Sequence, residues 1–540
     1  MNDEVTGLAD ELPDAELVFA VVSPLGTPSD VVQEALAEAL RAHGYEIEVL
    51  VRISTLLDEM DGTKDGERPA QRQERLMDVG SKRRKEHGGD FLALSAIATI
   101  NASRVQDDGG ATTPHKRRAH LIRSLKHPQE VARLRHVYGK GFFLFGVSAP
   151  RRVRRDTLIK KNFPLDEAER LLDKDQAEDK RIGQQTRDTF ELADAYVRID
   201  AELDDDIAGK VRRIVDLLLS CPFHPPTAEE HAMFMAYAAA LRSSDLSRQV
   251  GAVVANRAGD VIASGANDAP SPEGGTFRPA GLDFSVETSE AARADYLRGY
   301  DSNERERNKI LVGVIQALVA DEAKREMTSG ERAALVLKYK AQLAGTGVLD
   351  LTEFGRAVHA EMAALLSCAR TGSAPAGGSL YCTTFPCHNC AKHIVAAGLR
   401  EVVYVEPYPK SKAKALHADA ISLPDEDDEE PGKGPPRVVF RAFEGVGPRR
   451  FFDLFSLTLG SGRPLKRKKK DADGVRVDWR RGEGSHPRLP LDPRSYLERE
   501  DDAAIFFQQK EEKRDNLPDQ DAKDATDPIG APDAHPQGSS

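Results

Sequence analysis

VHAEMAALLSCAR (358–370), SLYCTTFPCHNCAKHIVAAG (379–398) and EVVYVEP (401–407) form the stretch from which the fold of this chain is read. In the first segment, apolar residues recur at helical spacing. SLYCTT is a short apolar run of strand formers, CHNCAKHIVAAG opens a second helix behind Pro386, and EVVYVEP is a second strand. Helices and strands alternating at this pace build parallel strands joined by crossover helices, so the expected class is α/β.

Reading outward, EEHAMFMAYAAALRSS (229–244) predicts a helix, and QVGAVVAN and VIASGAN predict a hairpin turning at Arg257 to Asp260. Residues 285–345 are charged and helix-forming, and read as a helical insertion. Pro225 and Pro226 mark a boundary. Before it the same alternation appears. LVFAVV (17–22) is a buried strand, and Val32, Leu36, Ala39 and Leu40 form a helical stripe behind Ser29 and Asp30. YEIEVLVRI, RAHLIRSL and GFFLFGV are further strands, and DFLALSAIATINA and HPQEVARLRHVYG are helices. The expected division is a flexible start (1–14), a parallel-sheet domain (15–205), a linker helix with its Pro-rich break (206–228), a second α/β/α domain (229–460), a basic extension (461–508) and a disordered tail (509–540). DEDDEEPGKGPP (425–436) reads as a solvated loop and RVVFRAF (437–443) as an edge strand.

The chain has 540 residues. At about 150 residues per domain that length excludes a single small binding module. Hydrophobic residues at 40% and charged residues at 30% supply real cores beside much solvated sequence. No apolar run approaches the ~18 residues that cross a bilayer, and the acidic start lacks the layout of a secretion signal, so no membrane association and a cytoplasmic location are expected. The net charge of −12 argues against a generic nucleic-acid coat. Five cysteines make no disulfide framework and point instead to thiol or metal chemistry at particular places.

Those places are His359 and the pair Cys387 and Cys390. One imidazole and two thiolates suit Zn²⁺ and leave a fourth tetrahedral position for water, as catalytic zinc sites do. Cys387 and Cys390 share one face at a helix start, where the helix dipole favours thiolate. Glu361 is not needed as a ligand and is free for proton transfer. The alternatives are a structural zinc clip, or two reduced cysteines beside a surface histidine. Cys221, Cys368 and Cys382 lie in apolar surroundings and read as packing residues.

The order His-x-Glu then Pro-Cys-x-x-Cys is the pattern of zinc deaminases, and on it the segment 229–423 resembles the deoxycytidylate deaminase branch of the cytidine deaminase superfamily. LRSSDLSRQVGAVVANRAGDVIASGANDAP (241–270) is similar to that branch's first helix and hairpin. The resemblance implies that Asn267 contacts the nucleotide sugar and that Arg242, Ser243 and Arg248 line the nucleotide site. Tyr408 and Lys410, in EPYPKS, are placed to meet base or phosphate, with a packing role the alternative for Tyr408.

Several blocks, among them RIGQQTRDTFELADAYV, FGRAVHAEM and FEGVGPRRFFDLFS, resemble bacterial anti-phage deoxycytidine nucleotide deaminases with an N-terminal P-loop kinase-like domain. That resemblance implies zinc-dependent conversion of free dCTP or dCMP to deoxyuridine nucleotides, draining a pool that an infecting phage needs, by a homo-oligomer. A P-loop requires G-x-x-x-x-G-K-[ST]. Ser23 to Asp30 (SPLGTPSD) offers one glycine of that pattern and no lysine, so kinase or ATPase activity is not expected. Gly26, Thr27 and Ser29 remain candidates for a regulatory nucleotide held by backbone donors at the helix start; the alternative is a scaffold that binds nothing there. A sensor of nucleotide or small RNA with a deaminase output, or a polynucleotide deaminase, are the other functional readings. The basic run GRPLKRKKK (462–470) is either a solvated loop or a contact for triphosphate or RNA.

Overall fold

The computed structural model describes residues 14–62, 66–108, 114–177, 185–200, 206–279, 293–318, 326–343, 348–350, 354–406, 411–425, 436–470, 474–491 and 493–515. They form two mixed, mostly parallel sheets flanked by helices. In the first, β1 (Leu17–Val22), β2 (Glu46–Arg52), β3 (Arg118–Leu125), β4 (Phe142–Ser148) and β5 (Ala195–Arg198) run parallel in the order β5-β4-β1-β3-β2. Each of the strands read from this region's sequence is present. β1 is central, and all six of its residues are buried. Its side chains alternate: Val18, Ala20 and Val22 enter one core, Leu17, Phe19 and Val21 the other.

The second sheet has the order β10-β11-β9-β8-β6-β7. β6 (Gly251–Ala255) and β7 (Val261–Ala266) form the expected hairpin. β6 pairs antiparallel with β8 (Ser379–Cys382), and β8, β9 (Glu401–Tyr404), β11 (Val438–Ala442) and β10 (Ile421–Ser422) are parallel. RVVFRAF is therefore not an edge strand. The two-residue β10 covers its outer side, too short to leave a sequence signal. Three insertion helices, Asp295–Arg298, Ser302–Leu318 and Ser329–Leu343, lie between β7 and the Ala360–Thr371 helix.

Small residues set how closely the helices sit on this sheet. A Cβ on Gly251 would overlap the backbone of Ala236 and Ala240, and one on Gly265 would overlap the Ala360 carbonyl and the Ala364 nitrogen. Glycine is thus what lets the Ala228–Ala240 helix lie against β6 and the Ala360–Thr371 helix against β7.

Two features depart from a division by sequence order. β12 (Gly445–Val446), which follows the second sheet in the chain, adds antiparallel to β5 and completes the first sheet. One buried cluster also joins β1 residues to Ala232, Met233 and Ala236 of the Ala228–Ala240 helix and to Val253 and Ala255 of β6, so the two halves share a core. The extension beyond 460 packs back on the N-terminal half. Its helix Pro493–Asp515 runs past the expected start of the tail and buries Tyr496, Leu497 and Ala503 in that same cluster, which also holds the apolar residues from Phe91 to Ile100 of the Phe91–Asp108 helix. Arg104 pairs there with Glu16 and Glu500, all fully or nearly fully buried. A second fastening joins Ser485 to His43 Nδ1 at 3.0 Å and His43 Nε2 to Asp216 at 3.0 Å. The basic run enters an antiparallel pairing, Lys468 against Arg476, with Arg467 donating to the Pro222 carbonyl. Residues 1–13 and 516–540 lie outside the described residues, as does most of DEDDEEPGKGPP. No helix among the described residues is long and apolar enough to cross a membrane.

Candidate active site

Two helix starts converge on one point. His359 is the N-cap of the Ala360–Thr371 helix, and Cys387 is the N-cap of the His388–Ala396 helix, where its sulfur accepts from the Cys390 amide at 3.4 Å. His359 Nδ1 stands 3.3 Å from Cys387 Sγ and 3.5 Å from Cys390 Sγ. A nitrogen and a sulfur ligand at their usual ~2.0 and ~2.3 Å from a tetrahedral zinc are about 3.5 Å apart, so the donor set fits Zn²⁺ in both chemistry and spacing. Among the described residues this is the His/Cys/Asp/Glu group whose ligand atoms lie close enough to hold a metal. Hydrogen bonds from Cys390 and His359 hold the Cys387 thiol well below the usual thiol range. Cys390 is pushed up as the partner that keeps the shared proton. The hydrogen bond to Cys387 raises the His359 imidazole.

Glu361, in the first turn of the same helix as His359, is only 4% exposed. Burial raises its carboxyl above the ordinary range, with the Cys387 charge adding to the effect. It lines a cavity of about 440 Å³ together with His359, Cys387, Asn267, Arg248 and Phe385.

Asn267 is buried and committed at both ends of its side chain. Its Oδ1 accepts from the Val250 amide at 2.6 Å and its Nδ2 donates to the Arg248 carbonyl at 2.9 Å. Ser243 does not line the cavity; its hydroxyl donates to the Asn267 carbonyl at 2.6 Å and accepts from the Asp245 amide. These two residues therefore hold the loop that presents Arg248, whose exposed guanidinium makes no hydrogen bond or ion pair among the described residues. Arg242 is exposed and does not line the cavity; burial of part of its length and the nearby Arg278 lower its guanidinium. Tyr408 and Lys410 lie outside the described residues. Cys221, Cys368 and Cys382 are buried, and burial pushes the Cys368 and Cys382 thiols up.

The insertion supplies a wall that sequence reading missed. Asp295, Asp301, Asn303, Glu304 and Arg307 line the same cavity as His359 and Cys387, and Asp295 pairs with Arg356 at 2.9 Å. The charged composition of 285–345 was the available signal, but a solvated helical face has the same composition.

Gly26, Thr27 and Ser29 line a second cavity of about 500 Å³ at the carboxyl ends of β1 and β3. Gly26 has φ 79°, and a Cβ there would meet the Arg154 carbonyl. The Ser29 hydroxyl accepts from Arg123 at 3.0 Å, and the buried Thr27 hydroxyl has no partner among the described residues. Lys126 and Lys161 also line it: Lys126, just after β3, donates to the Ser23 carbonyl at 2.7 Å and pairs with Asp175 at 3.3 Å, and Lys161 stands 3.8 Å from Asp30.

Known proteins resemble the zinc-binding half. Deoxycytidylate deaminase of Enterobacteria phage T2 is 46% identical over 55 residues, which is 10% of this chain and 29% of that protein. ComE operon protein 2 of Bacillus subtilis (strain 168) is 43% identical over 53 residues, 10% of this chain and 28% of that protein. The chain thus spans less than a third of the length of these curated relatives. The crystal structure of dCMP deaminase from the cyanophage S-TIM5 in apo form shares 17% identity over 40% of this chain and 99% of that one, with a TM-score of 0.20. Residues 226–406, which carry His359, Glu361, Cys387 and Cys390, match the family described as the cytidine and deoxycytidylate deaminase zinc-binding region.

Proposed function

We propose that the chain is a zinc-dependent hydrolase that deaminates free deoxycytidine nucleotides, dCMP, dCTP or both, at C4 of cytosine. The observation that carries this reading is Glu361, a buried acid beside the His359, Cys387 and Cys390 ligand set, on the wall of a cavity that also presents Arg248, whose guanidinium has no partner among the described residues. The phage deoxycytidylate deaminase match supports the substrate class.

His359, Cys387 and Cys390 would hold the zinc, which when bound makes a water acidic enough to lose a proton near neutral pH. Glu361 takes the proton of the attacking water and delivers it to ring nitrogen N3. As the C4–N bond breaks, Glu361 carries the proton of the newly added C4 hydroxyl to the departing amino group, which leaves as ammonia while the C4 carbonyl forms. Burial around the acid suits both transfers, because it raises the carboxyl above its ordinary range and so makes it a better proton acceptor. Asn267 fixes the loop that carries Arg248, and Arg248 meets a phosphate of the substrate. Tyr408 and Lys410, outside the described residues, are further candidates to meet base or phosphate.

In this reading the reaction depletes the deoxycytidine nucleotide pool during phage infection, carried out in the cytoplasm by a homo-oligomer. A second reading, a sensor with deaminase output, is favoured by the cavity that Gly26, Thr27 and Ser29 line, in which the N-terminal half would bind a nucleotide or a small RNA as control. Chromatographic product analysis with dCMP, dCTP, CTP and single-stranded DNA side by side tests the substrate class. Deoxyuridine nucleotide from dCMP or dCTP is expected, and turnover of the single-stranded DNA alone overturns the reading.

A further inference from the structure

The cavity that holds Glu361 does not end at Arg248. A second cavity, of about 340 Å³, shares Arg248 and Thr384 with it. Both halves of the molecule build this second space. Leu192 and Tyr196 come from the N-terminal half, Tyr237 and Thr383 from the zinc-binding half, and Arg449 from the segment just after β12.

Arg449 contrasts with its neighbour. Arg450 is buried, donates to Asp194 at 3.0 Å and lies over the Phe143 ring. Arg135 uses the same carboxylate, also at 3.0 Å. Asp194 is thus shared between two guanidiniums. Arg449 is exposed and makes no hydrogen bond or ion pair among the described residues. Its charge is felt locally, since burial, together with Arg449 and Arg450, pulls the Arg135 guanidinium below its ordinary value. Two uncompensated guanidiniums, Arg248 and Arg449, therefore line one cavity. The Tyr237 hydroxyl adds a donor with no partner among the described residues. One carboxylate, Glu191, also lines the wall, so an anion would sit toward the arginines.

From this we infer that the interdomain cavity is a polyphosphate subsite, in which Arg449 receives the distal phosphates of a nucleoside triphosphate whose first phosphate lies on Arg248. Guanidinium is the side chain that best meets phosphate, by paired charge-assisted hydrogen bonds. Arg449 reaches the cavity because β12 pairs with β5, and this ties triphosphate recognition to the docking of the two halves. The inference rests on the proposed deaminase reading for the source of the triphosphate, the substrate's own tail.

Titration calorimetry of the full-length protein with inorganic tripolyphosphate and with orthophosphate tests the subsite without any turnover. Wild type should bind tripolyphosphate, and Arg449→Ala should weaken it about 10- to 100-fold, as loss of a charge-assisted hydrogen bond does, with partial rescue in Arg449→Lys. Tripolyphosphate affinity unchanged in Arg449→Ala, with the circular dichroism of the variant intact, overturns the subsite. A kinetic arm identifies the source. If the phosphates belong to the substrate, the ratio of kcat/KM for dCTP to that for dCMP falls by the same factor in Arg449→Ala. An unchanged ratio, with tripolyphosphate or another triphosphate altering dCMP turnover in wild type only, overturns the substrate-tail assignment in favour of a separate ligand. Absence of turnover on every cytosine nucleotide would sink the deaminase reading and the tail assignment with it, while the calorimetric result for the subsite would stand by itself.

Discussion

Ser485, His43 and Asp216 stand in line at 3.0 Å separations, like the serine, histidine and aspartate of a hydrolase, while His359, Cys387, Cys390 and Glu361 gather beside a cavity. By residue type the first group is as suggestive as the second. Its surroundings decide otherwise. Ser485 and His43 are completely buried and Asp216 is 1% exposed, and none lines the cavities described above. The Ser485 hydroxyl also accepts from the Gly482 amide and donates to the Arg480 carbonyl, and Asp216 takes His224 and both arms of Arg481. Every valence is used, so the group fastens the C-terminal extension to the N-terminal half. In the zinc group, the buried acid, the thiolate-favouring helix starts and the free Arg248 face open space. Reactivity needs groups left uncompensated and reachable; satisfied groups stabilise.

The strongest way to break this contrast is Glu361→Gln. Deamination should fall by about 10³-fold, within the range for loss of a general acid–base, while metal analysis still finds one zinc per chain. Residual turnover near wild type would remove Glu361 from the mechanism. Gly265→Val comes next. The branched side chain must displace the Ala360–Thr371 helix that carries His359 and Glu361, at a cost of about 1–3 kcal/mol and with weakened zinc retention, read by chemical denaturation and by competition with a chelator. For the buried triad the opposite pattern is expected. Ser485→Ala should lower unfolding free energy by about 1–2 kcal/mol and leave kcat/KM for the deamination unaltered. A catalytic defect without a stability change would reverse the assignment of the two groups.

The smallest effect sharpens the same comparison through pH. The hydrogen bond to Asp216, with help from Cys221, raises the His224 imidazole to about 9. Since the folded value lies above the ordinary 6.5, protonated His224 adds stability that is complete below about pH 6.5 and disappears as pH rises through about 9. Denaturation midpoints of wild type and His224→Ala should therefore differ most near pH 6 and converge near pH 10. A gap that widens with pH would contradict the ion-paired latch.

Legibility followed sequence distance. β1 to β4 and the β6–β7 hairpin were readable because strands of four to eight residues with apolar alternation, bounded by turns, are local signals. The two-residue strands β10 and β12 have no such signal, which is why local sequence makes RVVFRAF an edge and closes the first sheet before residue 229. The Phe91–Asp108 helix had left a clue. Phe91, Leu92, Ala93, Leu94, Ala96, Ile97 and Ile100 are all buried, and a helix apolar on so many sides must be covered on more than one. Its further cover, the Pro493–Asp515 helix, starts almost four hundred residues away and was read largely as extension and tail.

The sequence by itself brought out the candidate metal ligands and the candidate acid, because His359-Ala360-Glu361 and Cys387 to Cys390 are each close in sequence, and backbone geometry fixes which of their side chains are neighbours. It also determined the α/β class, through periodicity. Only the tertiary structure decided that Asn267 and Ser243 are braces for the Arg248 loop, that the insertion walls the cavity, and that Arg449, on the adjoining cavity, has no ion pair among the described residues while Arg450 has one. Whether a polar side chain is satisfied depends on what approaches it from elsewhere in the chain. Burial of apolar surface, which brings those elements together, is non-directional and leaves no record of the partner in the local sequence.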